Sequence, residues 1–485
     1  MHPSEVNTEV YTDGGSYIGG NVNTQGGTFT GRDLVVHGDF HVHQPPRPLP
    51  TRLPTCPHLS TKLVGRALEL THYADRLQQE GLVILTGMAG VGKTSLAQRL
   101  VALYPEPQQV FCYTFFEGRG LRGLIERLGE FLAWHGQPTV WQLCDNHGQP
   151  LSDEALVSHL IFDLAKGIYL IWLDDLHLIE HYPVATYFFQ QLLNLTSDRR
   201  LQLLITSRHT PNFLQTAATD VLSGLTFNET EQLLIELQLT LPTNLVITLH
   251  RYTEGNAQLL ILAAGVLKQA KQPERLIARL ATTEAIERYL LKQVDRYLQP
   301  AEKEVMKALA VLLGYPVARN AIEEVLGSAD LRDVLNSLSE RLIIVVSYQE
   351  DERCYHQHSI VREFYYAGLN SAQRRSLHQR AALYFTSVED FVTAATHWHQ
   401  AGEASRAAHL LYDHLPSLLN RGQAQALYDL QAQFIRTQFD DNTWAKVKIV
   451  GGRAATFVAD TTTALAVFAE ANRCHDPYLQ AQVLY

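Results

Sequence analysis

Leu82-Val83-Ile84-Leu85-Thr86-Gly87-Met88-Ala89-Gly90-Val91-Gly92-Lys93-Thr94-Ser95 is the stretch on which the reading of the whole chain turns. An apolar, β-branched run leads into a glycine-rich loop, and the loop opens onto a helix-forming segment over residues 96–103. Strand, loop and helix in that order make a complete Walker A pattern, whose physical sense is anion capture. Gly87, Gly90 and Gly92, with Val91 between them, let successive backbone amides turn inward around a triphosphate. Lys93 is placed to reach the β- and γ-phosphates and the Thr94 hydroxyl to ligate Mg2+; Ser95 completes the binding residues at the positive end of the helix. The cofactors expected are therefore ATP/ADP and Mg2+.

Two later strands support that expectation. Gly167-Ile168-Tyr169-Leu170-Ile171-Trp172-Leu173-Asp174-Asp175 reads as a buried parallel strand ending in two carboxylates, about eighty residues after the glycine loop. In this Walker B pattern Asp174 holds Mg2+ and Asp175 orients or deprotonates the attacking water. Leu201-Gln202-Leu203-Leu204-Ile205-Thr206-Ser207-Arg208 repeats the form and ends in a guanidinium. At the carboxyl edge of an open α/β sheet Arg208 would stand beside the γ-phosphate as a sensor of its charge. Asp174, Asp175 and Arg208 are the expected catalytic group.

Composition narrows the remainder. With 485 residues and a 46% apolar fraction the chain has room for about three or four globular domains. No apolar run approaches the ~20 residues of a membrane span, and the N-terminus MHPSEV lacks the basic and apolar regions of a secretory signal, so a cytoplasmic protein without membrane partners is expected. A net charge of −10 argues against DNA and toward protein partners. The five cysteines are dispersed without a CxxC pair, which predicts reduced, structural thiols rather than disulfides or a zinc site.

Residues 1–43 differ from everything after them. Gly14-Gly15-Ser16-Tyr17-Ile18-Gly19-Gly20-Asn21-Val22 realigns with Gly26-Gly27-Thr28-Phe29-Thr30-Gly31-Arg32-Asp33-Leu34 at a period of twelve residues. So small a repeat cannot bury a core by itself. Two readings stand: a solvated polar tail, or a short β-repeat that stacks on identical copies from other molecules. In style the segment is similar to the amyloid-type signalling motifs at the ends of some nucleotide-dependent receptors. Residues 44–57, QPPRPLPTRLPTCP, contain six prolines and read as an extended linker.

Taken together, further motifs bring a family into view. Leu63-Val64-Gly65-Arg66-Ala67-Leu68-Glu69-Leu70 resembles the segment that precedes Walker A in AAA+ and STAND ATPases, with Ala67 in place of the usual Glu. Leu222-Ser223-Gly224-Leu225-Thr226-Phe227-Asn228-Glu229-Thr230-Glu231 resembles the start of the helical lid. Gly255-Asn256-Ala257-Gln258 occupies the place of the family's "GxP" loop, without its proline, and His356-Gln357-His358-Ser359 the place of its "MHD" motif. In this order and spacing the motifs resemble the STAND-class P-loop NTPases that include the NB-ARC and NACHT receptors. The resemblance implies adenine contacts from Val64 and Gly65 and a β-phosphate contact from His358 that locks the ADP state.

The expected fold class is multidomain: an α/β P-loop parallel-sheet core (58–220), a helical lid (221–298), a winged helix (299–369) and an alanine-rich, TPR-like α-solenoid (370–485), preceded by the tail (1–43) and linker (44–57). The resemblance implies a slow ATPase used as a signal-transduction switch, plausible in bacterial defence or regulated cell death. An unknown protein or small-molecule trigger would act on the helical repeats, ATP would replace ADP, and the protein would form a homo-oligomer that signals through its tail to an effector with a matching motif. The alternative is a STAND-type transcriptional regulator with a superhelical sensor.

Overall fold

In a computed structural model, which describes residues 47–54, 56, 63–116, 121–144, 151–179, 183–198, 200–214, 220–280, 285–349, 352–458, 461–471 and 479, the decisive apolar run is strand β1 (Leu82–Thr86) of a five-stranded parallel sheet. Its companions are β2 (Val110–Thr114), β3 (Tyr169–Asp174), β4 (Leu201–Thr206) and β5 (Asp220–Val221), in the spatial order β2-β3-β4-β1-β5. Alternate residues feed opposite faces, as a period of two requires. Ile84, Ile171, Leu173, Leu203 and Ile205 join one buried cluster, and Val83, Leu85, Leu170, Trp172 and Leu204 join another. Because both faces are covered, these strands are near-continuous apolar runs. Helices α1 (Ala67–Glu80) and α2 (Lys93–Ala102) cover one face; α3 (Arg122–Trp134), α4 (Thr139–Leu143), α5 (Asp153–Leu164) and α6 (Pro183–Ser197) cover the other.

Strand order decides what meets at the sheet edge. β4 lies between β1 and β3, with Leu85 level with Thr206 and Leu173 level with Ile205. The loop carrying Arg208 therefore emerges between the loop carrying Lys93 and the Asp174–Asp175 pair.

The rest of the chain is predominantly helical. Helix α7 (Phe227–Glu236) starts at a capping box in which Thr226 and Glu229 satisfy each other's backbone amides. It is followed by α8 (Thr243–Thr253), α9 (Ala257–Leu267), α10 (Pro273–Leu280) and α11 (Ile286–Tyr297). The sequence AQLLILAAGVL is apolar all round, so α9 is a buried core helix. Next come α12 (Pro300–Val311), α13 (Arg319–Leu326) and α14 (Arg332–Glu340) with an antiparallel sheet of β6 (Val317–Ala318), β8 (Glu352–His356) and β7 (Val345–Gln349), in that order, and then α15 (Ser359–Gly368). One continuous apolar cluster runs from Leu225 to Ala394.

Helices α16 (Ser371–Ser387), α17 (Phe391–Gln400), α18 (Ala404–Asp413), α19 (Leu415–Asn420), α20 (Ala424–Ala432), α21 (Asp441–Val458) and α22 (Thr461–Ala471) follow. Sequential neighbours pack on each other, α16 on α17, α17 on α18, α20 on α21 and α21 on α22. Ala381, Ala394, Ala395, Ala407, Ala408 and Ala454 are buried in these helices. The architecture is thus the α/β core followed by a helical region that the sequence predicts. No helix among the described residues is long and apolar enough to cross a membrane.

One expectation, that the cysteines are all reduced thiols, is corrected at the N-terminal side. The chain divides into units Met1–Leu49 and Pro50–Tyr485, so the last part of the proline-rich stretch belongs with the core. Pro54 is buried, and Leu53 and Cys56 pack against the two clusters on the sheet. That packing brings Cys56 to Cys112 of β2, and the two form a disulfide with their Cα atoms 5.0 Å apart. Reading the cysteines by sequence spacing failed here because the partners are separated by 56 residues and meet only through the fold. Cys144 and Cys354 are buried thiols. The twelve-residue repeat of the tail and Cys474 lie outside the described residues.

Candidate functional site

The glycine loop is held in a conformation that side chains would obstruct. Gly87 and Gly90 have φ of 140° and 78°, and a Cβ on Gly90 would come within 2.7 Å of Gln258 Cβ. α2 begins directly at Lys93, which is nearly buried and donates from Nζ to the carbonyls of Gly87 (2.8 Å) and Met88 (2.9 Å). Burial lowers the Lys93 pKa, against which the carboxylates of Asp175 and Asp174 act. Ser95 stands on the exposed side of the first turn of α2, away from these contacts.

Asp174 ends β3 in the buried sheet edge. Thr94 donates from Oγ1 to its Oδ1 (3.1 Å), and Thr206 of β4 donates to it as well. The Thr206 hydroxyl in turn accepts from the Asp175 amide at 3.2 Å, which fixes where the second carboxylate starts. Burial, and then repulsion from Asp175, push the Asp174 carboxyl up to about 7, although Thr206, Thr94 and Lys93 pull it down. A hydroxyl and a carboxylate this close form a hard-oxygen pair that fits Mg2+, a cation that keeps several waters and takes one or two protein ligands.

Asp175 adopts a left-handed backbone, φ 57°, which turns its side chain out of the strand. Its carboxylate is 43% exposed yet deeply surrounded by protein, as befits a group lining a crevice. Burial raises its pKa and the charges of Lys93 and Arg208 oppose the rise. Arg208 is solvent-exposed and acts electrostatically on Lys93, Asp175 and His177. The structure therefore brings together Lys93, Thr94, Asp174, Asp175 and Arg208, five residues from three motifs each more than thirty residues from the next.

His177 belongs to the same cluster and was not singled out by sequence. Both ring nitrogens are buried without a hydrogen-bond partner, and Nδ1 lies 3.8 Å from Asp175 Oδ1. Burial, then the charge of Arg208, lowers its pKa to about 4, so the ring is neutral at pH 7. The signal in the sequence was its place two residues beyond the acidic pair.

Towards α7, Val64 packs against the helical cluster, and Gly65, at φ 70°, lies so close to Glu229 that a Cβ would come within 2.7 Å of its Cγ. Arg66, which stands within the entry segment and to which the sequence assigns no role, is buried; one guanidinium nitrogen donates to the carbonyls of both Val91 and Ser223 at 2.8 Å. Asn256 caps α9, with Oδ1 accepting from Leu259 N, and donates from Nδ2 to the Ala89 carbonyl at 2.9 Å. His358 stands at the N-cap position of α15, makes no side-chain hydrogen bond to the helix start and is exposed to solvent. Among the described residues no hydrogen bond joins His358 to the glycine loop. It is Gln357 beside it that is buried, donating to Met306 O at 2.9 Å.

Comparison with known proteins agrees with this picture at the level of fold. Residues 75–210 match the AAA domain family. The chain is similar to the crystal structure of a STAND (signal transduction ATPase with numerous domains) protein with a tetratricopeptide repeat sensor from Pyrococcus horikoshii, at 18% identity and a TM-score of 0.67. That likeness covers 90% of this chain and 62% of the other, so the chain spans less than two thirds of that protein. A Walker-type ATPase of Pyrococcus abyssi (16% identity, TM-score 0.36, 65% of this chain and 99% of that one) and the ORC1 protein of Aeropyrum pernix in complex with DNA (16%, 0.32, 64% and 94%) also match. No curated protein matches the sequence.

Proposed function

We propose that the protein is an ATP/ADP-dependent switch of the STAND kind, a slow P-loop ATPase whose nucleotide state governs assembly. The observation that carries the reading is the meeting of the Thr94 hydroxyl, 3.1 Å from the Asp174 carboxylate, with buried Lys93 at the mouth of a glycine loop. In this reading the loop amides hold the phosphates. Lys93 exchanges the carbonyls of Gly87 and Met88 for phosphate oxygens, a charge-assisted contact of the stronger kind. Thr94 and Asp174 hold Mg2+, which when bound neutralises phosphate charge. Asp175, turned out of β3, orients the attacking water, and Arg208 stabilises charge on the γ-phosphate.

The helices after the core supply the lid and winged helix of the switch, and α16–α22 the sensor on which a protein or small-molecule trigger acts. Moving such a switch from 1:99 to 99:1 requires about 5.5 kcal/mol of differential binding. Homo-oligomers then bring the N-terminal tails together, and the tails pass the signal to an effector, in defence or regulated cell death. The test is calorimetric titration of ADP and ATP with Mg2+ into the wild-type protein and Lys93→Ala. Binding to the wild type and a loss of at least about a hundredfold in the variant are expected from removal of a charged phosphate contact, with helical content by circular dichroism unchanged. Equal binding by both proteins would sink the reading.

A further inference from the structure

Three consecutive carbonyls of the glycine loop are held from outside it. Ala89 O accepts from Asn256 Nδ2 at 2.9 Å, Gly90 O from the Gln258 amide at 3.0 Å, and Val91 O from the Arg66 guanidinium at 2.8 Å. Because each peptide unit is planar and trans, a carbonyl fixed outward turns the next residue's amide the opposite way. The three contacts therefore set the direction of the Gly90, Val91 and Gly92 amides; that of Val91 donates to Met88 O at 3.4 Å within the loop, and those of Gly90 and Gly92 are donors of the kind such a loop offers to an anion.

The holders are also joined to one another. The nitrogen of Arg66 that reaches Val91 also donates to Ser223 O, and the Arg66 amide donates to Glu229 of α7. Two residues beyond Ser223, the Leu225 amide donates to Gly255 O at 2.8 Å, and Gly255 precedes Asn256. A closed circuit of hydrogen bonds thus runs from the loop through Arg66 to residues 223–225, across to residues 255–258, and back to the loop. Asn256 serves it with one half of its amide, since Oδ1 is committed to capping α9.

We infer that Asn256 and Arg66 are positioning residues through which the lid helices set the geometry of the phosphate loop, so that lid docking and nucleotide affinity are two ends of one equilibrium. The inference deepens the switch reading, because it assumes that the loop binds nucleotide. By linkage, whatever loosens the lid lowers affinity, and bound nucleotide fastens the lid by the same factor.

Asn256→Ser separates the two duties of the side chain. Its hydroxyl still caps α9 but is too short to reach Ala89. In the nucleotide-free protein, the Gln258 amide, which donates into the loop, should exchange with solvent about tenfold faster, whereas the Leu260 amide, which donates within the first turn of α9, should exchange as in wild type. ADP affinity by calorimetry should fall about tenfold, the worth of one hydrogen bond. Arg66→Lys keeps the charge but not the planar group that holds two carbonyls; it should weaken ADP similarly, and the double variant should lose less than the product of the two factors, because either change frees the same loop. Wild-type exchange at Gln258 in Asn256→Ser, or faster exchange at Gln258 and Leu260 alike, would reduce Asn256 to a helix cap and overturn the inference. The exchange measurement needs no nucleotide, so it judges the inference even if the wild-type protein binds no ADP, a result that would count against the switch reading alone.

Discussion

Asp174 and Asp175 are adjacent in sequence but chemically opposed by their surroundings. Asp174 is buried with two hydroxyl donors, whereas Asp175 leaves the strand through a left-handed turn and faces solvent from a crevice. In the proposed switch the first would hold the metal and the second would handle the water. Asp175→Asn keeps the size and removes the base, so nucleotide binding should persist while single-turnover phosphate release slows by about a hundredfold, the usual worth of a positioned general base. An unchanged release rate would move the water-orienting role to a neighbour, of which neutral His177 at 3.8 Å is the nearest to hand.

Among the elements, the junction between α15, α16 and α17 carries an unusual buried pair. His378 Nδ1 faces His397 Nδ1 at 2.9 Å, Tyr366 bonds the other nitrogen of His378, and His397 stacks on Phe385. Both rings are fully buried, and only one of the facing nitrogens can carry a proton. Burial, and then the charge of Arg374, lowers the His378 pKa to about 4, below the 6.5 of an unfolded chain; burial, and then His378, lowers that of His397. The unfolded state therefore takes up protons first: stability from His378 is complete above pH 6.5 and is lost as pH falls toward 4. Linkage gives a loss of about 2 kcal/mol at pH 5 relative to pH 7 from His378 alone. Urea denaturation at the two pH values should reveal it, and His378→Gln should flatten the difference; equal pH dependence in wild type and variant would place the effect elsewhere.

In the whole molecule, α3 and α5 of the core are tied to the distant helices at the turn between α19 and α20. Arg122 of α3 is buried, pairs with Asp153 and Glu126, and bonds Leu151 O; it lies so close to Gly422 that a Cβ there would collide with its side chain. Gly422 has φ 69°, where only glycine is free of strain. Arg122→Ala would leave Asp153, whose pKa burial already raises, without its counter-charge, at a cost of about 3 kcal/mol. Gly422→Ala should cost about 1 kcal/mol from backbone strain and displace Arg122 besides. Differential scanning calorimetry should show the core and the C-terminal helices melting at separate temperatures in both variants if this contact couples them. A single transition in each would show that other contacts do so.

The α/β core, its strand ends and the convergence of Lys93, Thr94, Asp174, Asp175 and Arg208 were legible in the sequence because each rests on a local pattern: a buried strand is a short apolar run, and the residue that ends it lands at the sheet edge. The alanine-rich helices were legible for the same reason, since small residues at helical spacing mark close packing before any partner is known. What only the tertiary structure decided are pairings between residues far apart. Asn256 reaches Ala89 across 167 positions, Arg66 reaches Ser223 across 157, and Cys56 meets Cys112 across 56. Single-sequence patterns carry no record of such contacts, because an isolated Asn before a helix looks the same whether its amide nitrogen meets water or a phosphate loop. The chain's own periodicity therefore determined where the glycine loop and the strand-end carboxylates lie, and the packing of helices α7 and α9 beside the core determined which residues hold the loop in place.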